Sequence, residues 1–275
     1  MWRSAGAAAE VARLLHTALD AGIDLIDTAD IYGWNGSDGF GAVEARLGAA
    51  LRSDPRLRQR ITLVTKGGIR PPVPYDQSRG YMDAALEASL ARLGTDVIDL
   101  YLIHRPDLLT HPQELAGFLD HAVTSGKVRS LGVSNFTVAQ IEVLAALLDT
   151  PLAATQPEIS PLRIDAIDNG ELDQAMRLGM APMAWSPLAG GRIMAPETPR
   201  ELAVAAALDA VAEAAGVSRA VAAYGWLMAH PAGIVPIVGT QNPARIAEAA
   251  QALGIRWTRT DWYAVFAAAR GERLP

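Results

Sequence analysis

Strand-like and helix-like segments alternate from one end of this chain to the other, and that alternation constrains the fold more than any single motif. Val11, Leu14, Leu15, Ala18 and Leu19 follow helical spacing, and Gly22 can stop that helix. Residues 23–27 then read as a strand, 43–51 as a helix, and 61–65 as a strand rich in β-branched side chains. The pattern continues with a helix over 81–93, a strand over 97–103, a helix over 112–125, a strand over 128–133 and a helix over 138–148. Strands recur near 153–157, 181–186 and 234–238, and a helix over 261–269 follows. Apolar strands separated by helices imply a parallel sheet buried on both faces. The 275 residues, half of them apolar, supply one large core, and no linker rich in Pro, Gly or Ser divides them. The expected fold is a TIM-type (β/α)8 barrel forming a single domain over 1–275. Seven strands are legible where such a barrel has eight. The missing strand belongs before Ala7, where only six residues remain. Either most of the first strand is lacking or the chain starts too far downstream; the second is our expectation.

Composition removes several function classes. A net charge of −6 speaks against a broad basic face for nucleic acid. With no cysteine there is no disulfide scaffold, thiol nucleophile or Cys-based zinc site. No long apolar run suits a membrane span, and the first residues lack a signal-peptide pattern, so a cytoplasmic location is expected. His16, His111, His121 and His230 fall away from the strand ends, so no metal site is expected.

Parallel barrels place their active sites at the C-terminal ends of the strands. There the sequence sets Asp27, Tyr32 five residues later, Lys66 and His104. A free Tyr has a pKa of about 10, too high for a good acid at neutral pH. A nearby ammonium favours the phenolate. A buried Lys needs a counter-charge, which Asp27 can supply. A neutral His can donate a hydrogen bond to a carbonyl oxygen. Together the four can polarise a carbonyl and protonate the developing alkoxide. None of them supplies a hydride, so a nicotinamide must.

The stretch GIDLIDTADIYG over 22–33 resembles the signature of the aldo-keto reductase superfamily. LVTKGG (63–68), LIHRPD (102–107), GKVRSLGVSNF (126–136), TQPEISP (155–161), AWSPLAGGR (184–192) and VPIVGTQNPARIAEA (235–249) extend the resemblance in order. Within the superfamily the chain looks like bacterial oxidoreductases of the YdhF type. The resemblance implies reduction of an aldehyde or ketone by NADPH, in preference to NADH, with Tyr32 as acid, Lys66 modulating it, Asp27 pairing with Lys66 and His104 orienting the carbonyl. It assigns the nicotinamide carboxamide to Ser134, Asn135 and Gln156, and an aromatic stack to Trp185. Ser186, Leu188 and Arg192 would line the pyrophosphate channel. Gly239, Thr240 and Arg245 would take the adenosine end, with Arg245 on the 2′-phosphate, a helix beginning near Pro243 aimed at it, and Glu248 towards the adenine. Gly239 stands where many members carry a Lys. The family's N-terminal hairpin and most of its first strand have no counterpart, and Trp2 would lie close to the substrate.

Each residue alone has a plainer reading. Asp27 could form a turn, Tyr32 could pack, His104 could be structural, and Ser134–Asn135 could cap the next helix. Two other functions compete: a Schiff-base lyase with Lys66 as nucleophile, and an NADPH-binding regulatory or redox-sensing module. A small-molecule carbonyl is the expected partner, with no nucleic acid, no membrane and a monomeric state. Substrate identity rests on loops 34–40, 71–80, 108–111 and the region after Arg192; Trp34 and Phe40 suggest an apolar pocket.

Overall fold

A computed structural model describes residues 8–272. Helix α1 (Ala8–Asp20) buries Val11, Leu14, Leu15 and Ala18, and Gly22 follows it with φ of 80°. Then come β1 (Leu25–Asp27), α2 (Ala42–Ser53), α3 (Arg56–Arg60), β2 (Thr62–Gly67), α4 (Arg79–Leu93), β3 (Ile98–Ile103), α5 (Pro112–Thr124), β4 (Val128–Ser134), α6 (Val138–Leu147) and β5 (Leu152–Gln156). The chain goes on through α7 (Asp165–Asp168), α8 (Glu171–Leu178), β6 (Ala181–Ala184), α9 (Pro199–Ala215), α10 (Arg219–Met228), β7 (Val235–Pro236), α11 (Pro243–Ala249) and α12 (Arg259–Arg270). Strand order is chain order, β1 to β7. The pairs β1–β2, β2–β3, β3–β4 and β6–β7 are parallel. This is the alternating α/β architecture that the sequence implies, and seven strands lie among the described residues. The expected first strand and the Trp2 position lie outside them.

The described chain groups into two compact units. One runs through Thr155 and takes in Thr240–Pro243. Its parallel ladder sets Asp27 against Val64 and Lys66 against Leu102, so Asp27 at the end of β1, Lys66 one residue before the end of β2 and His104 just past β3 lie at the same end of adjacent strands. The other comprises Gln156–Gly239 and continues from Ala244. Its core gathers Ile159, Leu172, Val204, Leu208, Leu227 and Phe266 around fully buried Trp226. There the Trp226 and Trp262 rings stack at 5.0 Å, and each indole N–H donates to the other's carbonyl at 3.1 Å.

Local boundaries moved by a residue or two. Strand β2 ends at Gly67 rather than beside Lys66, and β3 ends at Ile103, leaving His104 just beyond it. The strand read over 234–238 shortens to Val235–Pro236.

Candidate active site

Lys66 is fully buried, yet its ammonium is satisfied. It donates to Asp27 Oδ2 at 2.7 Å, to the Thr28 carbonyl at 2.9 Å and to the Tyr32 hydroxyl at 3.3 Å. Those three bonds use every proton a lysine carries. Burial alone would push the Lys66 pKa down, but the charge of Asp27 and then of Tyr32, with their hydrogen bonds, leave it above the ordinary lysine value. The ammonium also lies 4.9 Å from the Tyr32 ring centroid. The ring of His104 stands edge-on to Tyr32 at 5.7 Å and 82°. Asp27, Tyr32, Lys66 and His104 therefore form one cluster, as the sequence implied.

Two backbone bonds hold the turn that carries Tyr32. The Asp30 N–H donates to the Lys66 carbonyl at 3.1 Å, and the Gly41 N–H donates to the Asp30 carbonyl at 2.6 Å. Gly41 has φ of 78° and opens α2, a conformation that glycine adopts without strain. Phe40 packs near the Arg92 guanidinium, 5.9 Å from its ring, and Trp34 is half-buried.

The segments assigned to a cofactor show a different signature. The non-glycine residues with positive φ among the described residues are Asn135 (61°), Ser186 (53°) and Ala189 (51°). All three fall in segments that the sequence assigns to the dinucleotide. Such backbone is costly and concentrates at functional sites. Asn135 donates from its amide to the His104 carbonyl at 3.1 Å and to Ser134 Oγ at 2.9 Å. Neither residue caps α6; Thr137 does, in a reciprocal pair with Gln140. Gln156 is buried, while Trp185, Ser186 and Leu188 are half-buried. The Trp185 N–H donates to the Pro157 carbonyl at 3.1 Å.

The basic residues separate into two kinds. Arg192 is exposed but engaged: it pairs with Glu201 at 3.2 Å and donates to the Ala189 carbonyl. Glu201 also accepts from the Glu197 and Thr198 N–H groups that start α9. Arg245 is exposed on α11 and makes no hydrogen bond or ion pair among the described residues. Gly239 is exposed, Thr240 is half-buried and accepts from the Asn242 N–H at 3.1 Å, and Glu248 is half-buried. Burial pushes the Tyr224 hydroxyl up to about 12, with the Glu248 charge adding to the effect and Arg245 opposing it.

Sequence reasoning missed a set of buried polar residues: Thr28, Asp30, Glu44, Thr65 and Ser89. The one available signal was Asp30, a second acid three residues after Asp27.

The aldo/keto reductase family model matches residues 2–269. The chain belongs to the aldo/keto reductase family. It is 66% identical to a 6-dehydroglucose reductase of Novosphingobium aromaticivorans, over 100% of this chain and 91% of that protein. It is 37% identical to the oxidoreductase YdhF of Escherichia coli, over 98% and 90% of the two chains, so the likeness to YdhF holds. Among solved structures, the thermostable aldo-keto reductase Tm1743, in complex with the inhibitor epalrestat, superposes with a TM-score of 0.82. That match has 25% identity and covers 95% of this chain and 88% of that one. The fold class is the TIM-type barrel of aldo-keto reductases.

Proposed function

We propose that this aldo-keto reductase reduces an aldehyde on a sugar to the alcohol, taking hydride from NADPH and a proton from Tyr32. The observation that carries the proposal is the fully satisfied Lys66 ammonium within hydrogen-bond reach of the Tyr32 hydroxyl. One family description spans residues 2–269, which supports a single catalytic domain.

NADPH would supply the hydride to the carbonyl carbon. The rest of the chemistry belongs to the chain. Tyr32 gives its hydroxyl proton to the carbonyl oxygen as negative charge develops there. Lys66 stabilises the phenolate left behind, and Asp27 keeps that ammonium in place. His104 orients the carbonyl oxygen by donating to it. Water reprotonates Tyr32 after release. A Schiff-base role for Lys66 fits poorly, because a nucleophilic amine must be neutral and here its surroundings favour the charged form.

The strained backbone at Asn135, Ser186 and Ala189 and the uncommitted Arg245 suit a dinucleotide with a 2′-phosphate. Ser134, Asn135 and Gln156 would hold the carboxamide, Trp185 would stack on the ring, and Ser186, Leu188 and Arg192 would follow the pyrophosphate. Gly239, Thr240, Arg245 and Glu248 would take the adenosine end. Loops after the first three strands carry Asn35 and Asp38, the Arg70–Asp76 pair, and Arg105 with Asp107. Such a polar rim suits hydroxyl-rich substrates, in keeping with the name of the 66% identical relative.

The test is NADPH consumption by the purified chain with 6-dehydroglucose and with 4-nitrobenzaldehyde, repeated with NADH. Turnover of both aldehydes, faster with the sugar and with NADPH, is expected. No turnover by folded protein that still binds NADPH would favour the regulatory reading instead.

A further inference from the structure

The strand that carries Lys66 has a polar layer on its other face. In β2, side chains alternate between faces, so Thr65 and Gly67 lie opposite Lys66. Thr65 donates to Glu44 Oε1 of α2 at 2.5 Å. Ser89 and Arg92 of α4 donate to Glu44 Oε2 at 3.2 and 2.7 Å. Glu44 is thus a satisfied carboxylate with its own guanidinium.

Asp30 is not. It is wholly buried, and neither carboxyl oxygen makes a hydrogen bond of ordinary geometry. The hydroxyl of Tyr101, wholly buried on β3, lacks a partner as well. The two groups converge on Gly67: a Cβ there would collide with the Tyr101 hydroxyl and lie 3.6 Å from Asp30 Oδ2. Two carboxyls therefore share this layer with one guanidinium, and Glu44 holds that guanidinium. An isolated carboxylate without donors is untenable in such a place, and a carboxyl so placed keeps its proton.

We propose that Asp30 is a positioning residue that works as a neutral acid: its protonated carboxyl, buried with the Tyr101 hydroxyl where both converge on Gly67, fixes the turn bearing Tyr32 against the strand bearing Lys66. The proposal rests on the reductase reading above for its catalytic consequence, but not for the protonation itself. The geometry gives Asp30 its leverage. Its backbone already bridges the Lys66 carbonyl and the Gly41 N–H, and Tyr32 follows two residues later. A neutral carboxyl also adds no second negative charge beside the Asp27–Lys66 pair. The charged and titratable groups facing it are Glu44 on α2, Arg92 and Tyr81 on α4, Lys66 on β2 and Tyr101 on β3. Burial, then Glu44, push the Asp30 carboxyl well above the ordinary range, against the Ile31 N–H, Arg92 and Lys66. Tyr101 is likewise pushed up, first by burial and then by Asp30 and Glu44. Both groups therefore stay neutral and can donate.

The sign of the pH effect follows. A carboxyl whose folded pKa lies above its unfolded value of about 3.9 stabilises the fold fully below that value, and the benefit is lost as pH rises towards the folded pKa. Asp30→Asn abolishes that loss.

The experiment joins infrared spectroscopy to kinetics on the full chain. A protonated-carboxyl carbonyl band is expected at neutral pD in wild type and in Tyr32→Phe, and absent from Asp30→Asn. The melting-temperature advantage of Asp30→Asn over wild type should grow from pH 5 to pH 8. Asp30→Val should lower kcat by about tenfold or more with KM little changed, the scale expected when reacting groups are misplaced, and Asp30→Asn should recover most of it. Should Asp30→Val fail to fold, Tyr101→Phe takes its place and should lower kcat in the same direction. Absence of the band in wild type, or a melting-temperature advantage that does not grow with pH, would overturn the neutral acid. An unchanged kcat in the folded Val or Phe variant would overturn the positioning role. A wild type that shows the band but reduces no aldehyde would defeat the reductase reading and leave the protonation standing.

Discussion

The surroundings of Lys66 and those of Arg245 are built on opposite terms. Around Lys66 the charge is buried, opposed by Asp27 and hydrogen-bonded to the limit of the ammonium. Around Arg245 the charge is exposed and uncommitted, on a seven-residue helix. The first arrangement suits groups that must meet a transition state without rearranging. The second suits a group that completes its contacts only when a ligand arrives. On the function proposed above, the difference teaches that the chain would pre-organise its proton donor within the fold and leave specificity for the cofactor to side chains that the fold does not constrain.

The largest effect should come from breaking the first region. Lys66→Met removes the cation and leaves Asp27 buried without its partner. Loss of one member of a buried pair costs about 3–5 kcal/mol, and denaturant unfolding at pH 7 should show a loss of that size together with loss of turnover. The Lys66 pKa lies above its ordinary value, so the pair's contribution should be present at neutral pH. It should begin to fall above the ordinary lysine value of about 10.4 and be lost as pH rises through the higher folded value. An equal stability gap at pH 7 and above that range would contradict this account of the pair.

A deletion of similar size in the other unit separates stability from chemistry. Trp226 is fully buried and exchanges reciprocal N–H···O=C bonds with Trp262. Trp226→Ala should cost about 3–5 kcal/mol in chemical unfolding, while kcat per folded molecule at saturating cofactor stays near wild type. A loss of kcat alongside the stability loss would mean that the aromatic stack also shapes the chemistry.

Arg245→Ala should act more gently. A hydrogen bond to a charged group contributes about 1.5–3 kcal/mol, so KM for NADPH should rise roughly tenfold or more, with kcat and the KM for NADH unchanged. An equal rise for both cofactors would remove the 2′-phosphate assignment. Smallest of all, Arg192→Ala breaks an ion pair with an exposed guanidinium, worth about 0–1 kcal/mol. Fluorescence-monitored melting should shift by little. A larger loss would show that Glu201 depends on Arg192 as well as on the start of α9.

What was legible in the sequence follows the same division. Strand positions were readable because β-branched and apolar runs alternate with helical spacing, as at 61–65 and 81–93. The Asp27–Tyr32–Lys66–His104 cluster was readable because a parallel ladder turns positions in sequence into neighbours at strand ends. The polar layer behind Lys66 was not. Thr65, Ser89 and Tyr101 look like ordinary strand and helix residues until the register brings them to Glu44 and Asp30. Nor was the tie between Arg192 and Glu201 legible, since a cap at residue 198 reaches back across a loop.

The most direct test of the central claim is a single turnover of NADPH-loaded protein with an aldehyde, comparing wild type with Tyr32→Phe and measuring NADPH affinity for both. General acids typically contribute about 10²–10⁴-fold. The account predicts a fall of that size in the rate of NADPH oxidation, with cofactor affinity unchanged because Phe keeps the ring and removes only the hydroxyl. Tyr32→Phe turning over at the wild-type rate would contradict it.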